Sequence, residues 1–435
     1  MEYGNTLNDQ MMNKAIIVSL HDDIYEISQL SNSLGYSIDR IFIQHRPFPD
    51  VASYVGSGKL EEIRSFLEES DSTIDVVIID GELKPSQWFL LEKELDVKVF
   101  DRIRLILEIF KDRAERKEAR LQVRLAELEY EKPFVRELIH RTRSGEHPGL
   151  MAGGEYQVDD YYEMIKKQMK HIRENLKKIE KDRSIQRQHR HKSGFYLISL
   201  AGYTNAGKSS LLNVLSDETI TVEDRLFSTL STTTRKVETK HIPILITDTV
   251  GFIQRLPSWI IDAFHSTLEE IQQSDVVLLV LDGSDTIDVF TDKLQTSLKE
   301  LTNLEVNAPI LIVINKIDRI SEEEIQKKIH SLDFRKDLDP NMIIPISVTR
   351  NQNIDLLLDR IYQFLPALSR VKCILPNNKE VQSFISFLHN KTNVIKISYG
   401  KTVEVILDCN PKLHDKIFSD CLNLNGTSSD IEYKK

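Results

Sequence analysis

The stretch from Gly202 to Ser209 constrains this chain more than any other, because it reads Gly-Tyr-Thr-Asn-Ala-Gly-Lys-Ser. A glycine, four residues and Gly-Lys-Ser form the pattern of a phosphate-binding loop. Residues 195–200 form an apolar run typical of a buried strand, and residues 210–215 have the pattern of a helix. Because a strand precedes the loop and a helix follows it, we expect a phosphate site here rather than an ordinary glycine-rich turn.

The chemistry expected of this loop has three sources. Its glycines let successive backbone N–H groups point at phosphate oxygens, and the following helix adds its positive N-terminal end. Lys208 would reach the β and γ phosphates, and Ser209 would supply a ligand for Mg²⁺. The nucleotide-binding residues predicted in this part of the chain are Gly202, Tyr203, Thr204, Asn205, Ala206, Gly207, Lys208, Ser209 and Ser210.

A second motif selects the base. The apolar run at residues 310–314 predicts a buried strand that ends in Asn315-Lys316-Ile317-Asp318. A carboxylate at Asp318 can accept hydrogen bonds from the N1–H and the exocyclic amine of guanine, a donor pair that adenine lacks. Ser347 and Val348 follow a later strand and are the predicted base-contacting loop. The sequence therefore predicts binding of GTP and GDP.

Between these motifs lie the residues expected to sense the γ phosphate. Residues 243–247 predict a strand that runs into Asp248-Thr249-Val250-Gly251, where Asp248 would hold the Mg²⁺ shell and the Gly251 N–H would approach the phosphate. Thr233 is the predicted switch threonine and a third Mg²⁺ ligand, with Thr232 and Thr234 as alternatives. The order and spacing of these elements match a G domain, and Lys208, Thr233 and Gly251 are its predicted catalytic groups.

Two further residues bear on turnover. Phe252 follows Gly251 at the place where many GTPases carry a glutamine that orients water, and a phenylalanine cannot do so. We therefore expect slow hydrolysis by the isolated chain and acceleration by a partner. Asn205 is similar to an asparagine that coordinates an activating K⁺ in some GTPases, although a plain loop residue is the alternative interpretation.

Composition bounds the class of protein. At 435 residues the chain has room for about three domains, and its hydrophobic content of 40% and charged content of 29% are those of a globular protein. No apolar run approaches the roughly 20 residues of a membrane span, and the first residues lack the features of a secretory signal. We expect a cytoplasmic protein. Cys373, Cys409 and Cys421 lack metal-ligand spacing and should be free thiols.

The charge is unevenly placed. Net charge is −10, yet residues 166–192 carry eleven Lys and Arg against three acidic residues, a local balance of +8. This basic stretch belongs to the second of two long helices, in which Tyr162, Ile165, Met169, Ile172, Leu176 and Ile179 recur at spacings of three and four. A nucleic-acid-binding rod and a solvated helix face are both open interpretations.

The chain is divided here into four predicted domains. Alternating strands and helices over 14–100 predict an α/β domain with a parallel sheet, and 101–192 predict a long antiparallel helical hairpin with a basic second helix and a polar linker from 184. The first hairpin helix would run from 102 to before Pro133. A P-loop G domain with a mixed sheet and helices on both faces follows at 194–366, and a small α+β domain of strand, helix, strand and strand at 367–435, with a frayed tail from Gly426.

Two weaker signals lie in the first half. The hairpin connection from Arg141 to Glu155 is long and rich in glycine, as functional loops are, and Arg136, Arg141 and Arg143 are the candidate contacts to RNA phosphates. Gly56-Ser57-Gly58-Lys59 precedes a predicted helix; a tight turn is favoured there over a phosphate site.

Together these residues resemble the HflX family of GTPases. In the G domain the resemblance lies in the phosphate loop, in residues 226–230 and 248–253, and in Leu256-Pro257. In the N-terminal part it lies in residues 54–60 and 82–87, in Asp101-Arg102 and in residues 121–123. It covers residues 25 to 366 and is closer to the archaeal branch. It implies an α/β domain, a helical hairpin and a G domain, and a protein that binds the large ribosomal subunit through ribosomal RNA. Some members of the family separate stalled ribosomes in a GTP-dependent way. ATP binding has been associated with the family's N-terminal domain.

The sequence departs from the family in two places. Residues 147–155 replace the glycine-rich loop of bacterial members, and Ser231-Thr232 replace an Asp-Pro pair before the switch threonine. The leading interpretation is a monomeric GTPase that binds the large ribosomal subunit in its GTP state. The rival is a GTP-controlled switch or scaffold that dimerises through the hairpin and acts on protein partners without ribosome binding. Salt sensitivity of binding separates the two.

Overall fold

The computed structural model describes residues 13–70, 73–143, 154–192, 195–216, 233–237, 244–249, 251–253, 257, 259–260, 270–332 and 339–431. Thr232 and Val250 lie outside these ranges.

The N-terminal part is a parallel sheet with helices between its strands, as predicted. In the described residues its strands are β1 (Asn13–Ser19), β2 (Tyr36–Ile43), β3 (Val76–Ile79) and β4 (Lys98–Asp101), in the order β2-β1-β3-β4. The connecting helices are α1 (Tyr25–Ser33), α2 (Ser57–Glu69) and α3 (Pro85–Leu95). Residues 15–18 of β1 and all of β3 are apolar and buried, because neighbouring elements cover both sheet faces.

Two corrections apply to the helices that follow. The chain forms α4 (Arg102–Arg113) and α5 (Lys117–Arg143). The predicted start at 102 is confirmed, but the single long helix ending before Pro133 is wrong in its continuity and in its C-terminal end. Ala114 has an extended backbone, and this break lets α5 pack back on α4, where Lys111 Nζ lies 3.4 Å from Glu127 Oε1. Pro133 is accommodated within α5. Helix α6 (Gly154–Lys192) continues through the stretch predicted as a linker.

The predicted apolar repeat of α6 is confirmed as a packing seam. Ile165, Met169 and Ile172 are buried in one cluster with Leu125, Leu128 and Val135 of α5. Because α5 supplies the opposite wall, α5 and α6 form the expected helical hairpin.

The central part carries a mixed sheet. Over the described ranges its strands are β5 (Tyr196–Ala201), β6 (Thr233–Val237), β7 (Ile244–Asp248), β8 (Val276–Asp282), β9 (Ile310–Asn315) and β10 (Ile343–Pro345), in the order β10-β9-β8-β5-β7-β6. Its helices are α7 (Lys208–Leu215), α8 (Ile287–Asn303), α9 (Glu322–His330) and α10 (Ile354–Phe364). β6, which the sequence did not reveal, pairs antiparallel to β7, and the other pairs are parallel. The carboxyl ends of β5, β7, β8 and β9 therefore meet at one edge, where such sheets bind ligands.

The C-terminal part contains a helix and a strand beyond the four elements that were predicted. Its elements are β11 (Ser369–Pro376), α11 (Lys379–Lys391), β12 (Asn393–Tyr399), β13 (Thr402–Cys409), α12 (Pro411–Asn423) and β14 (Thr427–Asp430). The predicted frayed tail is wrong, because β14 pairs antiparallel with β11 through Ile374 and Thr427. The strand order β12-β13-β11-β14 and the βαββαβ sequence are those of the ferredoxin-like motif.

Two predictions from composition can be checked within the described ranges. Cys373, Cys409 and Cys421 are buried free thiols in the C-terminal core, as expected. Over the part of the chain that the structure covers, no helix combines the length and the apolar character that a membrane crossing requires. The four domain boundaries stay predictions.

Candidate functional site

The predicted phosphate loop leaves β5 at the edge where the parallel strands end. Gly207 has a φ of +96°, and a Cβ there would lie 2.2 Å from the Asn315 side-chain nitrogen. Only glycine fits this position, which directly precedes α7. Asn205 has a φ of +63°, a conformation that asparagine tolerates better than most residues, and its side chain is exposed. The positive φ alone therefore accounts for an asparagine at position 205. Coordination of K⁺ by Asn205 stays a prediction.

Lys208 lies inside the loop. Its side chain is only 7% exposed, and Nζ donates hydrogen bonds to the carbonyls of Gly202 at 3.1 Å and Tyr203 at 2.8 Å. Burial lowers the pKa of Lys208 to about 8, and the nearby Asp248 carboxylate opposes that shift. An ammonium group at this position, inside the glycine-rich loop, has the charge that phosphate binding requires.

Ser209 and Asp248 form the candidate metal site. Ser209 Oγ at the start of α7 donates to Asp248 Oδ2 at the end of β7 over 2.6 Å, and Asp248 is 1% exposed. Mg²⁺ prefers hard oxygen ligands and is usually held by one or two protein groups besides phosphates and water. A hydroxyl and a carboxylate in contact beside the phosphate loop fit that preference. Thr249 Oγ1 donates to the Leu200 carbonyl at 2.6 Å and fixes the chain after Asp248.

The pairing of β6 with β7 determines which threonine shares a sheet face with Asp248. Thr233 lies directly opposite Asp248, so their side chains are on the same sheet face. Thr234 points to the other face, where its Oγ1 lies 3.0 Å from Thr247 Oγ1. The geometry favours Thr233 over Thr234 as the sensing residue.

Gly251 and Phe252 are tied to the phosphate loop. Phe252 N donates to Gly202 O at 3.0 Å, and Thr204 N donates to Phe252 O at 3.1 Å. A Cβ on Gly251 would lie 2.8 Å from Lys208 Nζ, so a larger residue would crowd the lysine. The Phe252 side chain is 9% exposed and therefore packs inward.

The predicted base-contacting residues form a connected group. Asn315 donates from Nδ2 to Ala206 O at 2.9 Å and accepts at Oδ1 from Val348 N at 3.2 Å. Ser347 Oγ donates to Asp318 Oδ1 at 2.6 Å. This hydrogen bond lowers the pKa of Asp318, so the carboxylate is ionised at neutral pH. The ionised form is the one that accepts hydrogen bonds from guanine.

Two participants were missed by sequence reasoning. Lys316 Nζ donates to Asn205 O at 2.8 Å and to Asp282 Oδ2 at 2.6 Å, so Asp282 at the end of β8 helps link the base motif to the phosphate loop. Burial alone would raise the pKa of Asp282, but hydrogen bonds from Lys316 and Ser284 hold it below its usual value. The sequence signal for Asp282 is an acidic residue at the end of an apolar strand. The second residue that sequence reasoning missed is Arg235, which follows Thr233 by two residues.

The three candidate RNA contacts differ in what the structure shows of their surroundings. Arg136 is exposed on α5. Arg141 donates to Glu137 Oε1 at 3.0 Å and its guanidinium stands 5.1 Å from the Phe89 ring centre, so it is at least partly structural. Arg143 ends α5, and its side chain lies outside the described ones, as does the loop that follows.

Gly56-Ser57-Gly58-Lys59 begins a helix. Gly56 is the residue before α2, and Lys59 Nζ lies 2.6 Å from Glu62 Oε2. The stretch is explained by the start of the helix, and an ATP site there stays a prediction.

Comparison with known proteins gave matches along most of the chain. A family model described as GTP-binding GTPase N-terminal matches residues 21–111, one described as GTP-binding GTPase Middle Region matches 113–190, and one described as 50S ribosome-binding GTPase matches 197–316.

Similar individual proteins were also found. The chain is 39% identical over 387 residues to GTPase HflX of Thermococcus kodakarensis, covering 87% of each chain. It is 39% identical over 373 residues to GTPase HflX of Methanocaldococcus jannaschii, covering 86% of this chain and 89% of that one. A crystal structure of a GTP-binding protein from Sulfolobus solfataricus in complex with GDP matches at 28% identity with a TM-score of 0.46, over 81% of this chain and 98% of that one.

Proposed function

This chain belongs to the HflX family of GTPases, and from that membership we propose that it binds the large ribosomal subunit in its GTP-bound state and leaves it after hydrolysis. Hydrolysis of GTP to GDP and phosphate is the activity of the family. The observation that supports an RNA partner most directly is a row of exposed cations along α6, in a chain whose net charge is −10.

For the nucleotide, we assign base recognition to the carboxylate of Asp318, with Ser347 fixing its orientation. Asn315 links the base-contacting loop to the phosphate loop through Val348 N and Ala206 O. Since guanine presents two donors to a carboxylate and adenine presents none at that edge, the arrangement selects guanine nucleotides.

For the phosphates, the loop backbone and Lys208 act together. A bound β or γ phosphate would compete for Lys208 Nζ with the carbonyls of Gly202 and Tyr203. The exchange replaces two neutral acceptors by an anion, which makes stronger hydrogen bonds. We expect the Gly251 N–H to donate to the γ phosphate, and glycine suits this position because a Cβ there would lie 2.8 Å from Lys208 Nζ.

Ser209, Asp248 and Thr233 would hold Mg²⁺. When bound, the ion neutralises the negative charge that develops on the phosphate oxygens. Ser209 and Asp248 are already in contact, while Thr233 is brought to the same face by the β6–β7 pairing.

Water activation is the weak step of this site. The position after Gly251 holds a buried Phe252, which has no polar atom to orient water. Intrinsic turnover should therefore be slow, in the range of unassisted GTPases, and the ribosomal subunit should accelerate it by supplying or ordering the missing group.

Four cations of α6 form a row that we call the basic stripe: Lys166, Lys170, Arg173 and Lys177. Spacings of four, three and four residues place them on one helix face, and all four side chains are exposed. The stripe is about 16 Å long at the rise of an α-helix, which lets several side chains reach successive phosphates of one RNA strand.

Two of these cations have acidic neighbours. Lys166 Nζ lies 2.7 Å from Glu163, and Arg173 contacts Glu129. Exposed ion pairs contribute about 0–1 kcal/mol, so RNA phosphates can displace the carboxylates. Lys170 and Lys177 have no ion-pair partner among the residues that the structure describes.

Sedimentation with purified large ribosomal subunits tests the proposal. The chain should sediment with them when loaded with a non-hydrolysable GTP analogue and not with GDP, and affinity should fall steeply with salt. Lys170→Glu/Lys177→Glu should weaken binding and reduce the salt dependence. Lys299→Glu/Lys327→Glu makes the same charge change at exposed positions of α8 and α9 and serves as the matched control. Equal binding by both double variants would contradict a role for the basic stripe.

The rival dimerising switch loses its main support. Its seam would use Ile165, Met169 and Ile172, which are already buried against α5. We therefore propose a monomer, and sedimentation velocity of the GTP-loaded chain at several concentrations tests it. Splitting, rescue or storage of ribosomes and a cytoplasmic location stay predictions.

A further inference from the structure

A buried arginine lies on the strand that carries the switch threonine. Arg235 is 7% exposed and belongs to β6, two residues after Thr233. Because strand side chains alternate, Arg235 and Thr233 lie on the same sheet face as Asp248. This is the face covered by α7.

Arg235 joins β6 to the far end of α7. Its Nη1 donates to Asn213 Oδ1 at 3.1 Å and to Ser216 Oγ at 3.2 Å. Asn213 is in the last turn of α7, and Ser216 directly follows the helix. The same helix begins with Lys208 and Ser209, so Arg235 is held by the element that supplies the phosphate and metal ligands.

We propose that Arg235 is a positioning residue for GTP recognition: it anchors β6 to α7 and thereby keeps Thr233 opposite Asp248, on the metal-binding face. The inference rests on the proposed roles of Thr233 and Asp248 and adds the residue that sets their register.

The position of β6 in the sheet makes such an anchor necessary. β6 is at one edge of the described sheet and pairs with β7 over five residues only. A slip of one residue would turn Thr233 to the opposite face and bring Thr234 beside Asp248. Arg235 opposes a slip, because the slipped strand would carry its guanidinium to the opposite face and break its hydrogen bonds to Asn213 and Ser216.

The expected consequence is selective. GTP requires Thr233 near the γ phosphate, whereas GDP is held by the phosphate loop and the base-contacting residues. Loss of Arg235 should therefore weaken binding of a GTP analogue and leave GDP binding nearly unchanged. A side chain needed only for folding would affect both nucleotides alike.

Arg235→Gln tests the proposal by titration of fluorescent GDP and a fluorescent non-hydrolysable GTP analogue in Mg²⁺. Removing a charged donor should lower the affinity for the analogue by about tenfold or more relative to that for GDP. Lys236→Gln is the matched control, because Lys236 is the next residue on β6 and is exposed. It should keep the wild-type ratio of the two affinities.

Two more variants guard against misfolding of Arg235→Gln. Arg235→Lys keeps the charge and should restore part of the ratio, and Asn213→Ala removes one acceptor and should shift the ratio in the same direction as Arg235→Gln. An unchanged ratio in Arg235→Gln and Asn213→Ala overturns the proposal. Failure of the wild-type chain to bind either nucleotide would instead overturn the nucleotide site itself.

Discussion

Ser209 Oγ and Asp248 Oδ2 are 2.6 Å apart, although 39 residues separate them in the chain. One begins α7 and the other ends β7, and parallel pairing of β5 with β7 brings both elements to the same sheet edge. The contact joins the hydroxyl and the carboxylate that the sequence assigned separately to Mg²⁺. The fold therefore brings the two proposed Mg²⁺ ligands together, and this makes them testable as a pair.

Asp248→Asn should lower GTP hydrolysis by at least about 100-fold, because it removes a charge that would hold the metal during phosphoryl transfer. Ser209→Ala should act in the same direction, with a higher Mg²⁺ concentration needed for half-maximal activity. Turnover measured against Mg²⁺ concentration checks both. Asp288→Asn, at an exposed position of α8, controls for the lost charge, and wild-type Mg²⁺ dependence in Asp248→Asn would contradict the assignment.

Nucleotide binding should depend on pH through Lys208. Burial lowers its pKa to about 8, so the amine of the nucleotide-free protein loses its proton as pH rises above 8. Bound phosphate requires the ammonium form, so binding should take up a proton there, and affinity for GDP should fall by up to about tenfold per pH unit. Calorimetric titrations between pH 7.5 and 9, in buffers of different ionisation enthalpy, measure the uptake.

Lys208→Met is the control for this pH effect. It should bind GDP more weakly at every pH and should show less proton uptake than the wild type. Equal uptake by both proteins would assign the proton to another group.

Base selection should depend on Asp318. Asp318→Asn replaces two hydrogen bonds to an ionised acceptor, each contributing about 1.5–3 kcal/mol, so GDP affinity should fall at least about 100-fold. The new amide can donate to a base that carries an oxygen in place of the exocyclic amine, so xanthosine diphosphate should bind better than GDP. Competition titrations check the order. Asp355→Asn on α10 removes an exposed carboxylate and should change neither affinity.

Asp101, at the junction of β4 and α4, should make local stability pH-dependent. Burial raises its pKa to about 6 although the Arg104 and Leu83 N–H groups and the Tyr130 hydroxyl donate to it. The folded state therefore binds this proton more tightly than the unfolded state. Stability is lost as pH rises from about 4 to 6, by up to about 3 kcal/mol.

Amide hydrogen exchange of α4 between pH 4 and 7, corrected for intrinsic rates, measures this loss. Asp101→Asn should remove the slope and be less stable overall, because its amide nitrogen cannot accept the Leu83 N–H. The exposed Asp112→Asn should keep the wild-type slope, and a slope retained by Asp101→Asn would refute the assignment.

Sequence patterns predicted elements whose signals are local. The run from Gly202 to Ser209 indicates its own turn and helix, and alternating apolar strands and helices predict the N-terminal parallel sheet. The a/d repeat of α6 likewise predicts a packed partner, found in α5. Such signals succeed because they arise from backbone conformation and burial over a few turns or strands.

The failures concern elements stabilised by distant contacts. β14 has no apolar alternation, and it forms because β11 offers its backbone hydrogen-bonding groups. The break at Ala114 has no proline or glycine to announce it, and it exists because α5 packs back on α4. A proline typically ends a helix, yet α5 continues through Pro133 to Arg143.

The sequence alone determined the phosphate loop, the base motif and the family, because each consists of residues whose spacing reflects a local backbone requirement. Only the tertiary structure decided that Thr233 rather than Thr234 faces Asp248, that Asp282 joins Lys316 to the phosphate loop, and that Arg235 reaches α7. These relations depend on strand register and on contacts between residues far apart in the chain. One residue of slip reverses a strand's faces, and no local pattern records the register.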